Sequence, residues 1–333
     1  MSAIGDTILT LPVPCALRAH FPDAYLAWVV EEKSSAMVTG HACLDEVLVL
    51  PRGWFTNPGR LLAARRALRA LRFDTTIDCQ GMTKSAFACR LSGARQRIGL
   101  RGEHGRELSP WLNNHLLETR CSHVVDRSLE LLAPLGIQQP AVQWQLPVDD
   151  ASRRRMREAV AGLGLAGPYA VINPGATWNS KLWELDRFGR VAQHLGVRHR
   201  LPTLVVWGGG RERAAAEQIV AISGGHAVLA PPSTLIELAA LIEGGRLFVS
   251  ADTGPLHMAV AVGTPSIGLY GATRREDCGP YGSPHVALQV EYQGGSHKER
   301  RRADNRAMRL ITVDMVCTQC DAMLGSQGVE GVR

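Results

Sequence analysis

Long apolar runs are missing from this chain. No segment approaches the ~20 consecutive apolar residues that a membrane-crossing helix requires, and the first residues lack the basic head and apolar core of a secretory leader. A disulfide framework is absent too: eight cysteines are scattered through 333 residues, the pattern of reduced thiols in a cytosolic chain. Cys317 and Cys320 form a lone CxxC within an apolar helical pattern, without two further ligands at a zinc-like spacing. Excess charge of one sign is modest: a formal +6 does not by itself argue for nucleic acid, although it suits an anionic partner. The arginines in R-L-L-A-A-R-R-A-L-R-A-L-R (60–72) and K-E-R-R-R (298–302) read as solvated helix faces or loops. Finally, G-G-G-R-E-R (208–213) falls short of the GxGxxG fingerprint and lacks an acid about twenty residues later, which disfavours a nicotinamide-dependent oxidoreductase.

What is present is ordinary globular composition, 45% hydrophobic and 20% charged, at a length that suits two domains. Short β-rich runs alternate with helical patterns, the signature of parallel sheets wound with helices. In the second half the expected strands are 170–173, 203–207, 227–229, 247–250 and 266–270, with helices near 183–195, 211–222, 234–242 and 256–262. Thr234 and Glu237 make a capping box for the third of these helices. The first half repeats the theme, with strands at 25–30, 46–50, 75–78 and 96–100 and helices at 7–20, 58–72, 82–91 and 123–135. Residues 138–150, with two prolines and no helical period, read as the linker. The expected architecture is α/β, two Rossmann-like domains facing a cleft: 1–145, 146–312, and a final helix with its tail at 313–333. In such open sheets ligands sit at the carboxyl ends of the strands.

The start is unusual. A wound domain opens with a buried central strand followed by a glycine-containing turn, yet here S-A-I-G-D comes first. Losing a central strand would expose its neighbours' edges, so the expectation is that the strand lies upstream of the Met written as residue 1.

Two loops in the second half carry chemistry. In S-A-D-T-G-P-L-H-M-A (250–259) a strand runs through a tight turn into a helix, whose free N–H groups and dipole favour an anion such as a diphosphate. Asp252, Thr253, Gly254 and His257 are the residues there; the alternative is a plain helix cap and a packed histidine. N-P-G-A-T-W-N-S-K-L-W (173–183) offers the Thr177 hydroxyl and one cation, Lys181, able to neutralise a leaving diphosphate without a metal. Glu212, in the glycine-rich loop, is a candidate for a ribose contact. In the first half, I-D-C-Q-G-M-T-K-S-A (77–86) ends a strand and opens a helix carrying Lys84, and Asp6 belongs to the equivalent loop. A single carboxylate there, without a second at glycosidase-like spacing, suits a general base.

Taken together, S-A-I-G-D, W-V-V-E-E (28–32), the D-x-Q-G-x-x-K-S-A stretch, N-P-G-A-T…K-L-W and V-S-A-D-T-G-P-L-H-M-A resemble the ADP-heptose:lipopolysaccharide heptosyltransferases, glycosyltransferase family 9, and within it heptosyltransferase I. The resemblance reaches from the first residues to about Tyr270. It implies a GT-B glycosyltransferase that inverts configuration, needs no metal or other cofactor, and moves heptose from ADP-heptose to the Kdo of the lipid A inner core. It assigns Asp6 as the general base. It places Thr177, Lys181, Asp252, Thr253, Gly254 and His257 at the donor, and Gln80, Lys84, Arg106 and Arg52 at the acceptor. It also implies a cytoplasmic protein meeting the inner face of the inner membrane, with no nucleic-acid partner. The missing strand and the few basic residues around Arg52 depart from the family pattern. Two readings therefore stay open beside the first: the same fold with another nucleotide sugar or acceptor, and a catalytically silent nucleotide-binding homologue.

Overall fold

The computed structural model describes residues 3–326, which form two compact units divided between Pro147 and Val148.

The first unit opens with α1 (Ile4–Leu9) and α2 (Pro12–His20). The single helix expected over 7–20 is thus broken, because Pro12 has no N–H to continue a helix and instead starts a new one. Then come β1 (Ala27–Glu31), α3 (Glu32–Ser35), β2 (Glu46–Leu50) and α4 (Pro58–Ala70). They are followed by β3 (Thr75–Ile77), α5 (Thr83–Ser92), β4 (Gln96–Leu100), α6 (Ser109–Leu112), β5 (His115–Leu117) and α7 (Val124–Glu130). All pairing is parallel, in two pieces: β1 with β2, and β3-β4-β5 in that order. Among the described residues no strand pairs with the second edge of β1 or of β3. The core on one side gathers Leu50, Trp54, Ala64, Leu68 and Ala88, and α4 turns its arginines outward, as a solvated face.

The second unit begins with α8 (Asp150–Gly162), started by the Asp149 side chain accepting from Ser152 N. β6 (Ala170–Asn173), α9 (Leu185–His199), β7 (Thr203–Val205), α10 (Gly210–Ile222), β8 (Ala227–Leu229) and α11 (Leu235–Glu243) follow. Next come β9 (Leu247–Ala251), α12 (Gly254–Ala261), β10 (Ser266–Leu269), α13 (Arg275–Cys278) and β11 (Val286–Leu288). α14 (His297–Arg302), α15 (Arg306–Arg309) and α16 (Val313–Ser326) complete it. The Thr234–Glu237 capping box is formed at the head of α11.

Six strands make one parallel sheet in the order β11-β10-β9-β6-β7-β8. Both β6 and β9 are buried along their whole length, which is why their sequences are continuous apolar runs rather than alternating ones. α9 buries Phe188, Val191, Ala192 and Leu195, the 3.6-residue stripe that faces the sheet. Trp183 packs edge-on against Phe188 and donates its indole N–H to Ile311 O at 2.9 Å, anchoring the chain just before α16. α16 itself lies on α9. A fully buried aromatic of this kind contributes about 1.5–3 kcal/mol by removal from water, and Trp183 is one of the contacts that hold the C-terminal segment to the sheet domain.

The strand order fixes where a ligand belongs. The chain winds outward from β6 through β7 to β8, then returns to β9 on the other side of β6. The switch point lies between β6 and β9, where Asn173 and Ser250 are register partners. Crevices open at the carboxyl ends of strands at such points.

Candidate active site

The loop after β6 (174–182) and the turn after β9 (252–254) both rise from this switch point. Lys181, in a short 3-10 turn Asn179–Lys181, reaches across to the Asp252 carboxylate with Nζ 2.5 Å from Oδ2. Thr273, just past β10, donates to the same oxygen at 2.7 Å, and His257 Nε2 is 3.3 Å from Oδ1. Burial alone would push the Asp252 carboxyl up. The Lys181 charge and the His257 contact outweigh it and hold the group well below the usual carboxylate range. Asp252 is therefore ionised, and its oxygens face inward toward these three partners. The Lys181 ammonium also lies 4.6 Å from the centre of the Trp178 ring, which walls it on another side.

A second network supports the turn. Asn173 Nδ2 donates to Ser250 Oγ (2.9 Å) and Thr253 Oγ1 (3.1 Å), and the two hydroxyls are 3.1 Å apart. Thr253 occupies the N-cap of α12 with extended backbone, but its side chain makes no capping bond to the helix. Gly254 holds the first helical position, whose N–H the helix itself leaves without a partner at the positive end of its dipole. His257 Nδ1 is buried and without a hydrogen-bond partner.

Glu212 enters from the next loop. It sits in the first turn of α10 and accepts from Gly208 N at 2.7 Å. A Cβ on Gly175 would come 2.8 Å from Glu212 Oε1, so the glycine is what lets the β6 loop and this carboxylate approach. Thr177 is exposed on that β6 loop. The second unit therefore gathers Thr177, Lys181, Glu212, Asp252, Thr253, Gly254 and His257 at the carboxyl ends of β6, β7 and β9.

In the first unit the candidates also lie at strand ends: Arg52 after β2, Gln80 and Lys84 after β3, Arg106 after β4. Buried Asp78 shapes the β3 turn, accepting from Gln80 N (3.2 Å), Gly81 N (3.1 Å) and Asn113 Nδ2 (3.1 Å). Burial raises the Asp78 carboxyl, with these hydrogen bonds pulling the other way. Arg106 N donates to Gly81 O at 2.8 Å, and Leu108 N to Thr83 Oγ1 at 3.0 Å, so the Arg106 loop is laced onto the Gln80 loop. Lys84 is paired with Glu31 at the end of β1, and Arg52 and Arg106 are exposed. Asp6 is not on a loop as the sequence suggested. It lies in the first turn of α1, exposed, because the helix begins at Ile4 with Asp6 favoured beside its free N–H groups. α1 lies against α3, which follows directly from β1.

Sequence reasoning missed Thr273 and the supporting roles of Asn173 and Ser250. Thr273 sits just beyond a strand end in G-A-T, the location that exposed the other loops, but it has no motif around it.

A six-stranded parallel sheet wound by helices, with a lysine and the start of a helix at its switch point, is a doubly wound α/β domain, a class whose ligands bind at that point. The family model for glycosyltransferase family 9 (heptosyltransferase) matches residues 61–307. The chain is 30% identical over 303 residues to lipopolysaccharide heptosyltransferase 1 of Pseudomonas aeruginosa, covering 87% of this chain and 82% of that one. It is 29% identical to lipopolysaccharide heptosyltransferase 3 of Escherichia coli K12 over 280 residues, 81% of this chain and 80% of that one. Among solved structures, Escherichia coli heptosyltransferase WaaC with ADP-2-deoxy-2-fluoro heptose superposes with a TM-score of 0.73 at 25% identity, covering 97% of each chain. This chain belongs to glycosyltransferase family 9, and is a glycosyltransferase of the heptosyltransferase type with GT-B architecture.

Proposed function

We propose that this enzyme acts in lipopolysaccharide core synthesis, moving heptose from ADP-heptose to the Kdo of a lipid A inner-core acceptor with inversion. The observation that carries the reading is the Lys181–Asp252 pair at the β6/β9 switch point, beside the open first turn of α12. A departing ADP carries its growing charge on the diphosphate, which Lys181, Gly254 N–H and the α12 dipole would meet as preorganised positive potential. Asp252 acts as a positioning residue: its carboxylate would repel a phosphate, but it fixes the lysine. Thr177, exposed on the β6 loop, supplies a further polar contact to the diphosphate, His257 belongs to the donor site through its contact with the Asp252 carboxylate, and Glu212 suits the ribose hydroxyls. The reading takes the transfer to be independent of a metal ion.

The reading assigns Asp6 as the base that takes the proton from the acceptor hydroxyl. Gln80, Lys84, Arg106 and Arg52 would meet the carboxylate and phosphates of the acceptor. Such an acceptor is a lipid, so the enzyme would visit the cytoplasmic face of the inner membrane, with the arginine-rich α4 contributing attraction to anionic headgroups. The relatives named above include one that acts as heptosyltransferase 3, at nearly the same identity. That favours one second reading, the same donor with a later core acceptor.

The test is donor turnover. Incubation with ADP-heptose, UDP- and GDP-sugars, each with Kdo–lipid A or heptosylated core, should give product with ADP-heptose and Kdo–lipid A. Product only on heptosylated core would select the second reading. ADP binding without turnover of any sugar would reject both.

A further inference from the structure

Away from the switch point, three side chains converge where α16 crosses α9. His194 Nε2 and His199 Nε2, both on α9, lie 2.8 Å and 2.6 Å from the same oxygen, Oδ1 of Asp321 on α16. The other carboxylate oxygen, Oδ2, is held by Arg198 Nε at 3.0 Å. All three ligand atoms fall within 4.8 Å of one another, the one such grouping of three among the described residues. They are only partly covered, and His194, Arg198 and Asp321 open onto a cleft of about 600 Å³.

We propose that His194, His199 and Asp321 bind one divalent first-row transition-metal ion of the zinc, cobalt and nickel class. Two imidazole nitrogens and a carboxylate oxygen are the donors such ions prefer. Without metal, two N–H groups share one oxygen; an ion at their meeting point replaces both protons and takes both nitrogens and Oδ1 as ligands. Arg198 then serves as the outer partner that keeps the carboxylate turned inward. The fourth position faces the cleft and would be filled by water. Of the other charged groups lining the cleft, Asp314 favours a cation, while Arg190 opposes it. None of the three ligands belongs to the donor loops, so the ion would clamp α16 to α9 rather than take part in transfer.

Titration of the full chain with Co²⁺, followed by calorimetry and visible d–d absorption, tests this. One ion per chain should bind, with the melting temperature rising and without the intense near-ultraviolet band of cobalt–thiolate bonding. His194→Gln, His199→Gln and Asp321→Asn should each weaken binding by at least ~10-fold, their folds checked by circular dichroism. Arg198→Gln should retain the stoichiometry. Absence of uptake by the wild type would overturn the proposal without reference to any variant. So would equal uptake by a folded His194→Gln/His199→Gln double variant, or a thiolate band placing the ion on one of the cysteines.

Discussion

Lys181 and Asp252 form an ion pair whose side chains are only 13% and 7% exposed, with Nζ 2.5 Å from Oδ2. The two residues are 71 positions apart and meet because β6 and β9 are neighbours in the sheet. Removing either partner leaves the other desolvated. Lys181→Ala should lower transfer by ~10²–10³-fold, the usual loss when a preorganised stabiliser of developing charge is deleted. Steady-state kinetics and ADP titration would both register it. Asp252→Ala should destabilise the fold by about 3–5 kcal/mol, as broken buried pairs do, measured by chemical denaturation. An unchanged denaturation midpoint would show that the pair has no structural role.

The same pair gives a pH dependence with a definite sign. Native Asp252 holds its proton more weakly than the unfolded chain does, so its stabilising contribution is complete above the ordinary carboxylate range, near pH 4. It is lost progressively as the pH falls below that range. Stability should therefore rise with pH across the acid limb. The limb should be shallower in Asp252→Asn, as followed by denaturation at a series of acidic pH values.

Asp6→Asn should depress transfer by ~10²–10⁴-fold, the usual contribution of a general base, while ADP affinity stays at the wild-type value. Full transfer by this variant would remove Asp6 from the chemistry.

Gly175→Ala puts a methyl against the Glu212 carboxylate. If Glu212 meets the donor's ribose, the displaced carboxylate should raise the KM for donor with kcat nearly unchanged, and Glu212→Gln should behave alike. A fall confined to kcat would contradict that role.

Gly81 has a φ of +62°, and a Cβ there would come 2.3 Å from His104 O. Both faults fall on backbone that cannot swing aside, so Gly81→Ala should cost about 1–3 kcal/mol and loosen the Arg106 loop. Thermal melting would show the first effect and, if Arg106 meets the acceptor, a raised KM for acceptor the second.

Much of this architecture was legible beforehand because parallel strands buried on both faces write themselves as short apolar runs; A-V-I-N and L-F-V-S-A are examples. What escaped lacked such a signal. β5 reads His-Leu-Leu, without a β-branched or aromatic residue to mark a strand, and β11 is a lone Val-Ala-Leu with no motif beside it. α8 buries only Met156 and Val160 in thirteen residues, and its cap, Asp149, looked like the tail of a linker. At the site, the loops could be read because glycine, proline and threonine mark strand ends. The partnerships could not. Thr273 with Asp252, Asn173 with Thr253, and the two histidines with Asp321 depend on which elements are spatial neighbours, and sheet order is not a local property of sequence.

The position of β6 and β9 at the middle of a six-stranded sheet also bears on how the site moves. Amides of central strands open to solvent only in near-global unfolding, whereas those of β8 and β11, each paired along one edge, exchange through local fraying. The loops that carry Lys181 and Asp252 should therefore be moored to the slowest-exchanging part of the unit. Fraying at the edges should then leave the Lys181–Asp252 distance unchanged.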